Sequence, residues 1–82
     1  MTESKKKYTV KEGQYLAFLY YDTKLHGRPP AEADLQRYFR VTPPTTHSMI
    51  VRLHRKGLIE RELGKPRTIR NVLERKDLPD LV

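Results

Sequence analysis

The chain has 82 residues, 37% of them apolar and 33% charged, with no cysteine and a formal net charge of +7. A domain this small buries about 60% of its unfolded surface, which excludes a deep catalytic cavity, and the missing thiols exclude a disulfide framework and a thiolate zinc site and fit a reducing cytoplasm. No run approaches the roughly 18 apolar residues of a membrane span and the start Met-Thr-Glu-Ser-Lys-Lys-Lys has no apolar core behind its charges, so no membrane partner is expected and an anionic one is.

Charge placement says more than the total. Residues 35–59 contain no acid but keep Arg37, Arg40, Arg52, Arg55 and Lys56, and residues 63–73 also hold only bases. Such a one-sided distribution suits a polyanion. Residues 1–7, with Lys5, Lys6 and Lys7, read as a disordered solubilising tail that adds nonspecific affinity for nucleic acid. Residues 8–73 read as the domain and 74–82 as a C-terminal tail.

Thr9-Val10-Lys11-Glu12 has the spacing of a capping box, so a helix starts there. Tyr15, Leu16, Phe18, Leu19 and Leu25 recur at spacings of three and four, and Gly27 supplies a left-handed stop. Arg28-Pro29-Pro30 is extended, because proline disfavours helix in the residue before it. A short second helix over 31–39 opens with Glu32 and Asp34, which complement its positive end, and offers Ala33, Leu35, Tyr38 and Phe39 as a buried side.

Arg40-Val41-Thr42 is a turn, with Val41 plugging the gap between helices. Either Thr42 or Pro43 then caps a third helix, with Pro44 in its first turn. Thr46, Met49, Ile50 and Leu53 form its inward stripe. Thr45, His47, Ser48, Arg52 and Arg55 therefore point outward, and Lys56-Gly57 ends the helix. Residues 58–63 and 68–73 read as two strands around the tip Gly64-Lys65-Pro66-Arg67, where Pro66 cannot donate to a ladder.

Three helices, a tight turn between the second and third, and a terminal hairpin with a basic tip make a mainly α fold, the winged helix-turn-helix. Over residues 8–73 the chain resembles the DNA-binding domain of the LexA repressor family, and more loosely MarR-type regulators. The resemblance rests on the Thr9 capping box, Gly27-Arg28-Pro29-Pro30, Ala33-Asp34-Leu35-Gln36-Arg37, Thr42-Pro43, and the run from Leu53 through Gly57-Leu58-Ile59-Glu60. It implies that the third helix enters the major groove of double-stranded DNA while the wing lies on the backbone, with Thr42, Pro44, Thr45, His47 and Ser48 placed to read. LexA-like recognition helices carry acids where this chain has His47 and Ser48, so a different operator is expected. The sequence stops at Val82 without the family's self-cleaving domain, so cleavage is not expected. Any homodimer on DNA then needs other surfaces, such as Tyr20 and Tyr21 or Leu78, Leu81 and Val82.

Bases are read by Thr45, His47, Ser48 and Arg52, and phosphates are held by Arg37, Arg40, Lys65, Arg67 and Arg70. Competing readings stand beside these. Arg52, Arg55 and Lys56 can instead serve the helix C-terminal dipole, and Lys65 and Arg67 can instead guard the hairpin edge. Arg70 can face either way. His47 and His54 lie too far apart for a helical metal pair, so no metal or cofactor is expected. The five tyrosines fit core packing better than base stacking. Ser4 and Ser48 lack a base and an orienting acid, so no enzyme is expected. The rival function is a winged-helix docking module for an acidic protein. RNA is disfavoured because its deep, narrow major groove does not admit a helix.

Overall fold

The computed structural model describes residues 8–82, so the expectation for the basic tail at 1–7 lies outside the described residues. Thr9 begins the first helix as a reciprocal cap. Its hydroxyl accepts from the Glu12 amide at 3.1 Å while its own amide donates to Glu12 Oε1 at 2.9 Å. Helix α1 (Val10–His26) then runs to Gly27, whose φ of 77° lets its amide reach back to the Thr23 carbonyl. Leu16, Leu19 and Tyr15 are buried on one side of it, but Leu25, expected in that stripe, is 79% exposed. The helix has outrun the core by its last turn, and no described residue covers Leu25.

Helix α2 (Glu32–Phe39) is capped from within, the Ala31 amide donating to Asp34 Oδ2 at 2.9 Å. Two turns leave room for one core anchor, Leu35, and Phe39 stacks flat on Tyr15 with centroids 4.1 Å apart. Ala33 and Tyr38, expected on the buried side, are exposed. The helix ends at Arg40 in the left-handed region, φ 56°. Val41 is half-buried in the turn. Helix α3 (Pro43–Arg55) settles the choice of cap in favour of Thr42, whose side chain accepts from the Thr45 amide, with the two prolines in the first turn where their missing donors cost nothing. Thr46, Met49, Ile50 and Leu53 are buried as the spacing predicts. Leu16, Leu35, Ile50 and Leu53 are each fully buried, and each contributes about 1.5–3 kcal/mol from burial.

The hairpin is shorter than its sequence suggests. Strands β1 (Ile59–Glu60) and β2 (Arg70–Asn71) pair antiparallel, Ile59 opposite Asn71 and Glu60 opposite Arg70. Beyond Glu60 the Thr68 hydroxyl takes over, accepting from the Glu62 amide at 2.9 Å and facing the Glu62 and Lys65 carbonyls. A side chain thus replaces the backbone ladder, and Gly64 and Arg67 turn the tip with positive φ. Leu58, Ile59 and Ile69 close the core beneath the helices.

Residues 74–82 lie against the domain rather than away from it. A short 3-10 turn (Arg75–Asp77) places Leu78 in the core, and Leu81 packs on the core's rim. Gln14 clasps the passing backbone in both directions, donating to the Asp80 carbonyl and accepting from the Val82 amide, each at 2.9 Å. Gly13 makes room for this: a Cβ there would meet the Tyr8 ring at 2.7 Å and Pro79 at 3.1 Å. Leu78 and Leu81 are therefore used by the chain's own core, leaving only Val82 of that group fully exposed.

Candidate nucleic-acid interface

The N-terminal half of α3 presents Thr42, Pro44, Thr45, His47 and Ser48, all exposed, around the buried Thr46. Apart from the apolar Pro44, these are compact polar groups on a helix whose other face is locked by Leu53 and Ile50. The Thr42 and Thr45 hydroxyls lie 2.9 Å apart, so the first turn carries paired hydroxyls at its positive end, where a phosphate oxygen is favoured.

The basic residues divide into two groups. Arg52, expected to point outward and read, is half-exposed but turned onto Glu12, its Nε 2.8 Å from Oε2. Lys56 donates to Glu12 Oε1 at 2.8 Å. Glu12 itself is only 1% exposed. Burial pushes its carboxyl up, but the Lys56 hydrogen bond, the Thr9 amide and the charges of Lys56 and Arg52 together hold it below the ordinary value. Asp34, at the start of α2, collects Arg37 and Arg67, the latter at 3.2 Å. The Ala31 amide, opposed by partial burial and aided by those two cations, holds the Asp34 carboxyl below its usual range. Lys65 lies 3.3 Å from Glu62. Arg40, Arg55 and Arg70 are exposed and form no ion pair among the described residues.

The acid-free window is thus not acid-free in space. Glu12, Glu32 and Asp34 reach into it from outside, Glu32 standing 3.5 Å from His47 Nδ1 and 3.8 Å from Arg61 Nη1. Sequence reasoning assigned neither Glu12 nor Arg61 a place here. Both had a legible signal: Glu12 shares a helix face with Tyr15 and Leu16, and Arg61 shares a strand face with the inward Ile59. Among the described residues no group of three or more potential metal ligands gathers, and no helix is long and apolar enough to cross a membrane.

Three helices with a tight turn between α2 and α3, followed by a two-stranded hairpin, define a winged helix-turn-helix. The LexA DNA binding domain model matches residues 5–68, and the chain belongs to that family. It is 39% identical over 62 residues to the LexA repressor of Thermotoga neapolitana, an alignment covering 76% of this chain and 32% of that protein. It is 36% identical over 62 residues to the LexA repressors of Thermotoga petrophila and Thermotoga maritima, again covering 76% of the chain and 32% of each relative. The chain spans about a third of the length of the curated relatives it matches.

Proposed function

We propose that this domain binds double-stranded DNA sequence-specifically and acts in transcriptional repression at the nucleoid. The N-terminal half of α3 enters the major groove, where Thr42, Pro44, Thr45, His47 and Ser48 meet base edges, while the hairpin tip follows the backbone. Arg40, Arg55 and Arg70 supply phosphate contacts directly. Arg37, Lys65 and Arg67 do so in competition with Asp34 and Glu62, and Arg52 reads only at the expense of Glu12.

The observation that carries this reading is the exposed polar row on α3, backed by a fully packed opposite face, in a chain of the LexA DNA-binding family. His47 and Ser48 bring an imidazole and a hydroxyl to the exposed row where the resemblance implies acidic side chains in LexA-like helices, which supports an operator unlike the one those acids select. Selection of bound duplexes from a random pool tests this. A single enriched motif whose half-site spacing repeats is expected, and recovery of no motif at low salt would defeat the reading.

A further inference from the structure

A cleft of about 510 Å³ separates the hairpin from the start of α3, with His47 and Glu32 on one wall and Arg61, Lys65 and Thr68 on the other. Arg61 is its unusual member. Its side chain is 14% exposed, and an arginine that far inside a protein ordinarily has its donors matched. Here Nη1 stands 3.8 Å from Glu32 Oε2, beyond hydrogen-bond reach. Nε is buried with no acceptor among the described residues. The same Glu32 oxygen also faces His47 Nδ1 at 3.5 Å, so one carboxylate oxygen stands between a guanidinium and an imidazole and satisfies neither closely.

A guanidinium offers five donors in a planar fork that matches two oxygens of a phosphate. An under-satisfied fork beside a cleft, next to the exposed row of α3 and below a lysine-bearing hairpin tip, has the chemistry of an oxyanion seat. We propose that Arg61 seats one backbone phosphate of duplex DNA in this cleft, and that Glu32 competes with that phosphate for the guanidinium. The seat rests on the DNA-binding reading above. When a phosphate takes Arg61, Glu32 is left to His47 alone. It then fixes Nδ1 of the ring and leaves Nε2 facing outward.

Duplex binding followed by fluorescence anisotropy across a salt series, for the wild type, Arg61→Gln and Glu32→Gln, tests the seat. Arg61→Gln should weaken binding about tenfold or more, as loss of a charged hydrogen bond does, and should flatten the slope of log affinity against log salt by about one. Glu32→Gln should do the opposite, tightening binding a few-fold and steepening that slope. A residue that only props the hairpin would not move the two slopes in opposite directions. Arg61→Lys, which keeps the charge and loses the fork, should fall between wild type and Arg61→Gln. If Arg61→Gln does not fold, Glu32→Gln decides alone, and weakened binding there overturns the seat. Inorganic phosphate exchanged for chloride at constant ionic strength should compete only feebly. A cleft saturated by that phosphate with duplex binding unmoved would make it a small-anion pocket and overturn the assignment to DNA. Variants indistinguishable from a wild type that binds overturn the seat alone, whereas a wild type without salt-dependent duplex binding overturns the DNA reading beneath it.

Discussion

The two halves of α3 carry similar polar character in sequence and serve different ends in space. From Thr42 to Ser48 the exposed side chains are compact, and among the described residues only His47 of them faces an acid, at 3.5 Å. From Met49 onward Arg52 and, just past the helix, Lys56 are drawn onto the buried Glu12 of α1. The helix is therefore clamped at its C-terminal end and offered at its N-terminal end. Basic residues on and beside this helix are not interchangeable: Arg52 and Lys56 tie its C-terminal end to α1, whereas Arg40 and Arg55 are the ones that the proposed function makes available to phosphate.

Removing the clamp should give the largest effect. Loss of one partner from a fully buried ion pair costs about 3–5 kcal/mol, but Arg52 and Lys56 keep access to water, so about 2–3 kcal/mol is expected for Glu12→Ala. In a domain of this size each kcal/mol lowers the melting temperature by about 4–8 °C. Thermal unfolding by circular dichroism should show a drop of at least about 8 °C, and an unchanged melting temperature would remove the distinction between the two halves.

Next in size is the contrast between His47 and Arg52. His47→Ala should leave melting unchanged, lose about 1–3 kcal/mol of duplex affinity and relax preference at one base position. Arg52→Gln should lower the melting temperature and leave the selected motif as it was. Should Arg52→Gln instead scramble the motif, Arg52 reads DNA after all and the clamp yields on binding.

Much of this was legible in the sequence because local rules agreed with the global packing. The Thr9 box, the Gly27 stop and the stripe of Thr46, Met49, Ile50 and Leu53 each follow from spacing and capping chemistry alone. What spacing could not reach were pairings across elements. Glu12 and Lys56 are 44 residues apart and Arg67 and Asp34 are 33 apart, so an acid-free stretch of chain said nothing of the acids that fold against it. The hairpin misled for a related reason: β-rich composition at 58–73 predicted long strands, while the Thr68 hydroxyl captured the Glu62 amide that the ladder would have used.

Acid titration should show the clamp more gently. The Glu12 carboxyl sits below its ordinary value of 4.5 in the folded chain, so its stabilising share is fully present above that value and is lost as pH falls through the lower folded one. The Glu12→Gln variant should therefore melt with a flatter pH dependence below about pH 4.5, while the two proteins run parallel from pH 6 to 8. Parallel curves at acid pH as well would mean that Glu12 gains nothing from its cations.

The smallest effect separates the two left-handed arginines. Arg40 and Arg67 have φ of 56° and 59°, a region that costs a residue with a Cβ about 1–2 kcal/mol and costs glycine little. Arg67 recovers part of that through Asp34, whereas Arg40 has no ion pair among the described residues and lies in the turn just before α3. Its guanidinium is thus kept at a conformational cost with no acidic partner among the described residues to offset it, and the proposed function gives it a phosphate instead. Arg40→Gly should raise stability by about 0.5–1 kcal/mol and at the same time flatten the salt dependence of duplex binding by about one unit. Arg67→Gly should relieve the same strain but lose Asp34, giving no net gain in stability and a smaller change in slope. If Arg40→Gly stabilises the fold and leaves the slope untouched, the arginine serves neither the fold nor the DNA backbone, and the strain at the turn has some other cause.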